Sequence, residues 1–171
     1  LNRKQRFKSI CGHFEFGRGN VDTLGKFLSG TIHSVSERSM VQDAIDKFNS
    51  HKATACLIEK DGEYIGILTR EDVIQKITGK KDPKSTPTVE VMSSPLYTVD
   101  INMTKATACI MIAEKERRHL VVEENGNIAG VVSVGDLVPE EMISASRTGS
   151  ELFIRVGNYG DQLLKGGVAG E

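Results

Sequence analysis

Two short stretches of this chain carry a hydroxyl and a carboxylate at the same spacing. Thr69 precedes Asp72 by three positions, and Ser133 precedes Asp136 by three. Each hydroxyl is itself preceded, three positions earlier, by a glycine, Gly66 or Gly130. Such a set suits the binding of a nucleoside or nucleotide. A Thr or Ser hydroxyl where a strand runs into a helix adds a donor beside the free N–H groups and partial positive charge of the helix end, which favour phosphate. A carboxylate one turn further on can accept from both hydroxyls of a ribose, and flanking aliphatic strands offer a flat slot for a base. The same atoms also make a capping arrangement, with the hydroxyl accepting from the N–H three residues on and the carboxylate reaching back. Capping leaves the glycines unexplained. A glycine inside an apolar strand weakens it and marks close approach of a ligand or of another backbone.

The elements that must hold these residues form a repeat. Gly62, Gly66, Thr69 and Asp72 recur as Gly126, Gly130, Ser133 and Asp136, each 64 positions on. Each copy reads strand, helix, strand, strand, helix. The first strands are Ile32–Val35 and Leu96–Val99. A helix follows, with Val41, Ala44, Ile45 and Phe48 on its apolar face in one copy. In the other it carries Thr107, Ala108, Met111 and Ile112 after a capping Thr104. Ala55–Ile58 and Tyr64–Leu68 flank Asp61-Gly62, while Leu120–Val122 and Ile128–Val132 flank Asn125-Gly126. Asp-Gly and Asn-Gly between apolar runs predict tight hairpins, because their central residues take positive φ. A second helix starts at Thr69 or Ser133, and Pro139 marks a kink if the later one runs on. The fold class that follows is α/β of the α+β type, with two tandem β-α-β-β-α repeats packed with pseudo-two-fold symmetry. The chain divides into a basic lead-in (1–22), repeat one (23–79), a charged, proline-broken linker (80–87), repeat two (88–142) and a tail (143–171).

Composition narrows the function classes. Of 171 residues, 39% are apolar, enough for a core, and the net charge of −1 gives no pull toward nucleic acid or anionic lipid. No apolar run approaches the ~20 residues of a membrane span. Cys11, Cys56 and Cys109 are too scattered for a disulfide frame or zinc site, and Cys56 and Cys109 read as small buried residues of a reducing interior. An intracellular, by default cytoplasmic, setting follows. Leu1 in place of Met suggests an artificial boundary or a processed start. The basic Arg3, Lys4, Arg6 and Lys8 read as a solvated tail or as the end of a transit segment into an organellar matrix.

The doubled Gly-x-x-Thr/Ser-x-x-Asp, the Val91-Met92-Ser-Ser-Pro95-Leu run and the Arg118-His119-Leu120-Val-Val run together resemble a tandem pair of cystathionine-β-synthase (CBS) domains, a Bateman module. The resemblance covers about residues 24–140. It implies a regulatory module that binds AMP, ADP, ATP or S-adenosylmethionine in clefts between the copies, with no prosthetic group, and that often pairs into disc-like homodimers. Residue by residue, it assigns Asp72 and Asp136 to ribose, Thr69 and Ser133 to the neighbourhood of the phosphate, and Thr31, Ile32, Pro95 and Leu96 to the adenine. It places Arg118 and His119 at the phosphates of a ligand in the opposing repeat's cleft.

The copies differ there. Sixty-four positions before Arg117, Arg118 and His119 stand Ala53, Thr54 and Ala55. The cleft on Thr69 and Asp72 is therefore expected to face Arg118 and His119 and hold a phosphorylated ligand. The cleft on Ser133 and Asp136 is expected to take a less anionic ligand or none. Two readings compete with the nucleotide sensor. An enzyme is disfavoured: Gly17-Arg-Gly19 lacks the third glycine of a dinucleotide loop, and no Walker, HExxH or Gly-x-Ser-x-Gly motif occurs. The four histidines show no metal spacing, and His33 and His51 read as surface residues. A ligand-independent dimerisation scaffold needs neither Asp72 nor Asp136. The module could also regulate a partner in trans, or belong to a larger enzyme or channel. The two ends are then candidates for partner contacts or dimer arms.

Overall fold

A computed structural model describes residues 22–28 and 30–166. The expectations placed on residues 1–21, including Cys11 and the Gly17-Arg-Gly19 run, lie outside the described residues. The first repeat contributes β1 (Ser34–Ser36), α1 (Val41–His51), β2 (Ala55–Lys60), β3 (Glu63–Thr69) and α2 (Arg70–Lys76). The second contributes β4 (Thr98–Asp100), α3 (Lys105–Lys115), β5 (His119–Glu124), β6 (Asn127–Ser133) and α4 (Val134–Leu137). Two further helices follow, α5 (Glu140–Ser144) and α6 (Gly149–Gly166).

Each repeat builds a three-stranded sheet, β1-β2-β3 and β4-β5-β6, with the first pair parallel and the second antiparallel. Register repeats with the sequence: Ser34 pairs with Leu57, and Thr98 with Val121. Both hairpins turn as expected, with φ of 50° and 85° at Asp61 and Gly62 and of 53° and 81° at Asn125 and Gly126. Positive φ at both central residues is the type I′ turn, whose twist matches the flanking strands. The first strands begin two residues later than the periodicity suggests, because Ile32 and Leu96 leave the ladder and pack between the sheets.

The sheets stack face to face. Cys56, Ile58 and Leu68 point to the first repeat's helices, while Leu57 and Ile67 meet Val121 and Val131 in a shared central layer. Burial on both faces explains why these strands read as unbroken apolar runs.

The opening stretch of each repeat packs on the other repeat. Leu24 is fully buried in the second repeat's core, and its N–H donates to Met103 O at 2.9 Å. Val91 packs in the first repeat's core, and Thr88 N–H donates to Ser39 O at 3.0 Å. This exchange accounts for the two strand glycines. A Cβ at Gly66 would overlap Met92 Sδ and lie 3.2 Å from Ser93 O, and one at Gly130 would lie 2.8 Å from Leu28 Cδ2. Leu28 and Met92 are themselves 64 positions apart. The close approach inferred from the glycines is thus made by the exchanged segments, with no ligand needed to explain it.

The tail breaks the symmetry. Pro139 ends the helix that Ser133 begins: α4 stops at Leu137, Val138 is extended, and α5 starts afresh. Helix α6 then buries Leu152 and Val156 in the second repeat's core against α3. The helices approach closely, since a Cβ at Gly157 would sit 3.0 Å from Ala113 Cβ and one at Gly160 2.8 Å from Ala106 O. Positions 64 earlier than Ala106 and Ala113 are Gln42 and Asn49. The face of α1 that corresponds is therefore polar and bulkier, and gives such a helix no seat.

Candidate functional site

Two clefts lie where the repeats meet, each built on one hydroxyl–carboxylate pair. Thr69 ends β3 and caps α2. Its hydroxyl accepts from Asp72 N–H at 3.2 Å, while Asp72 Oδ2 accepts from Thr69 N–H at 3.0 Å and from Thr69 Oγ1 at 2.7 Å. Asp72 Oδ1 meets Lys76 Nζ at 2.7 Å, so both carboxylate oxygens are engaged. Ser133 and Asp136 repeat the box, with Asp136 Oδ2 2.7 Å from both Ser133 N and Ser133 Oγ. Asp136 is exposed, and its second oxygen has no partner among the described residues. The capping reading thus holds in full at Thr69, and at Ser133 through the carboxylate of Asp136. Helix α4 is only 4 residues long, so its dipole adds little at the second cleft.

The first cleft, of about 620 Å³, brings Thr69, Asp72, Glu71 and Gln75 of the first repeat to face Lys115–His119 of the second. Gly149 and Phe153 at the start of α6 close one side. Thr69, Asp72, Arg118 and His119 therefore share one cavity. Pro95 and Leu96 are not part of its lining: Leu96 belongs to the central layer, Pro95 is exposed, and Ser93 takes the wall position instead. Arg118 Nε lies 3.8 Å from Glu71 Oε1 with both side chains well exposed, a pairing that contributes little to stability. Glu71 Oε2 is buried without a hydrogen-bond partner. The position 64 further on is Gly135, so this carboxylate has no counterpart in the second cleft. Arg117 stacks its guanidinium over the Tyr97 ring at 5.8 Å.

The second cleft, of about 490 Å³, joins Ser133, Asp136 and Val131 to Thr31, Ile32, Ala53, Thr54 and Ala55. His33, His51 and Lys52 line it as well, so basic groups reach this cleft from positions other than 53–55. The His33 and His51 rings stack with centroids 5.0 Å apart. The signal was present in the offset, since His51 and Lys52 stand 64 positions before Lys115 and Glu116 in the facing wall. Burial holds the His33 ring below its ordinary pKa, and His51 and Lys47 push the same way.

His119 lines both clefts. Its Nε2 lies 2.9 Å from Thr54 Oγ1. Burial lowers its pKa, a tendency opposed by Glu71, Asp136 and Asp72 and reinforced by Arg118. The arrangement offers donors and cations to an anion and carboxylates to hydroxyls. The buried thiols of Cys56 and Cys109 are pushed up to about 11, away from thiolate chemistry. Among the described residues no three His, Cys, Asp or Glu side chains group to hold a metal ion. No helix among them is long and apolar enough to cross a membrane.

Comparison with known proteins places this geometry. The CBS domain family model matches residues 25–79 and 89–141. The CBS domain-containing protein YhcV of Bacillus subtilis is 30% identical over 67% of this chain and 82% of its own length. The mitochondrial CBS domain-containing protein CBSX3 of Arabidopsis thaliana is 28% identical over 69% of this chain and 60% of its own length. A signal-transduction protein with CBS domains from Burkholderia ambifaria superposes with a TM-score of 0.65 at 26% identity, covering 74% of this chain and 98% of that one. A hexameric CBS-CP12 protein from bloom-forming cyanobacteria has the same fold, with a TM-score of 0.66 at 19% identity over 90% of this chain and all of that one. With two matched copies, the doubled capping motif and the stacked sheets, the chain belongs to the CBS domain family as a tandem pair.

Proposed function

We propose that this chain is a non-catalytic regulatory module that binds an adenosine-containing ligand between its repeats and passes its occupancy to a partner or to its own oligomer. The observation that carries the reading is the first cleft, where Thr69 and Asp72 of one repeat face Arg118 and His119 of the other. Arg118 and His119 there receive phosphate, and the carboxylate of Asp72 turns to the ribose. AMP, ADP, ATP and S-adenosylmethionine are the ligand class. The ligand is exchangeable, so it acts as a signal through its different affinities for two states of the module. The second cleft offers Thr31, Ile32, Ser133 and Asp136 for a second such ligand. A homodimer is the assembly proposed, with a regulated protein in trans as its target, in the cytoplasm or an organellar matrix. The word mitochondrial in the name of one relative favours keeping the organellar option.

The test is isothermal titration of the chain with the four ligands, beside Asp72→Ala. Heat with at least one of them, lost in the variant, supports the reading. Absence of heat in a protein shown to be folded rejects it. One observation favours a second reading, a ligand-independent scaffold: Lys76 already occupies the Asp72 oxygen that the capping box leaves open. A scaffold dimerises equally with and without nucleotide, which sedimentation with and without AMP distinguishes.

A further inference from the structure

Three of the chain's four histidines, His33, His51 and His119, line the second cleft. Nothing in the repeat requires this, since the positions 64 after His33 and His51 are Tyr97 and Lys115. The fold brings the pair together: His51 closes α1, and the left-handed Lys52 that follows, φ 53°, turns the chain so that His51 stacks on His33 ahead of β1. Two stacked imidazoles repel when both are charged, and an anion set against both removes that repulsion.

We propose that the second cleft is an acid-tuned phosphate site, in which His33 and His51 take up protons as a phosphate-bearing ligand docks beside Ser133 and Lys52. This rests on the reading that the clefts receive nucleotides, and it departs from the expectation that the second cleft takes a less anionic ligand or none. The groups around the pair set the sign. The His51 ring and Lys47 of α1 oppose protonation of His33, and Lys52 adds a further positive group at the wall. Across the cleft stand Asp136 and His119, and it is the His119 ring whose charged form burial and Arg118 oppose and Glu71, Asp136 and Asp72 favour. Burial, then His51 and Lys47, lower the His33 pKa and so weigh against its charged form. A phosphate dianion tips the balance, so proton uptake and ligand binding become linked. The first cleft instead presents the permanently charged Arg117 and Arg118.

The experiment uses AMP as the probe and follows the histidine ring signals by NMR across pH, with and without saturating AMP. Calorimetry at about pH 8 and about pH 6 is run in parallel. The midpoints of His33 and His51 are expected to rise on AMP binding. Second-cleft affinity should grow about tenfold per pH unit for each proton taken up. In the His33→Asn/His51→Asn double variant, and partly in His51→Asn alone, the pH dependence should shrink to that of AMP's own phosphate and of His119. Midpoints that stay put at saturating AMP overturn the proposal and leave nucleotide binding standing. So does a pH dependence that persists unchanged in both variants. Failure of AMP to bind at any pH removes the nucleotide reading, and this inference with it.

Discussion

His119 Nε2 lies 2.9 Å from Thr54 Oγ1, across the junction of the two repeats, and the same imidazole forms part of both cleft walls. Position 55, its equivalent in the first repeat, is alanine, so the two-fold relation is broken by one side chain at its centre.

Stability should depend on pH through this ring. Burial lowers the pKa of His119 and of His33 in the folded chain, so unfolding takes up protons in the interval below the ordinary value near 6.5. Stability from these groups is complete above that value and is lost as pH falls through the lower folded values. Urea midpoints at about pH 7.5 and about pH 5.5 should therefore fall less in His119→Asn than in the parent chain. An identical fall in both would place the acid sensitivity elsewhere.

Gly66→Ala should destabilise the fold by about 1–3 kcal/mol, because the added methyl meets Met92 Sδ and Ser93 O. In a double-mutant cycle with Met92→Ala the cost of Gly66→Ala should shrink, since the truncated side chain leaves room. Additive losses in urea denaturation would show that Met92 is not the obstacle.

Gly160→Val should loosen α6 from α3, since even a Cβ there falls 2.8 Å from Ala106 O and from Ile110 Cγ1. A loss of about 1–3 kcal/mol is expected from forced repacking. Limited proteolysis should cut between α5 and α6 faster than in the parent chain. Phe153 lines the first cleft, so weaker ligand binding there should accompany the change.

Thr69→Ala removes one cap and should cost about 0.5–2 kcal/mol in chemical denaturation. Ser133→Ala should cost less, because α4 is a single turn that α5 does not extend. Equal losses would indicate that the two caps support comparable lengths of structure.

Much of this was legible in the sequence because it is local. The Asp61-Gly62 and Asn125-Gly126 turns dictate their hairpins, and the offset of 64 aligns every strand and both caps. What stayed hidden depends on distant packing. Gly66 and Gly130 announce a close approach, but the approaching groups, Met92 and Leu28, come from segments that cross to the other repeat. Nor does periodicity say that α6 folds back on α3, although the small Ala106 and Ala113 against Gln42 and Asn49 record why it chooses that helix. His51 is exposed and His33 half-buried, as surface residues should be, but their stacking at the cleft is set by the fold and not by their spacing.

The central claim is that the first cleft holds a phosphorylated adenosine ligand through Arg118. Calorimetric titration of AMP, ADP and ATP into the parent chain and Arg118→Ala tests it most directly. The account expects binding of at least one nucleotide, weakened about 10- to 100-fold in the variant by loss of a charge-assisted bond. Equal affinity in the two proteins, or no binding to a folded parent chain, would contradict it.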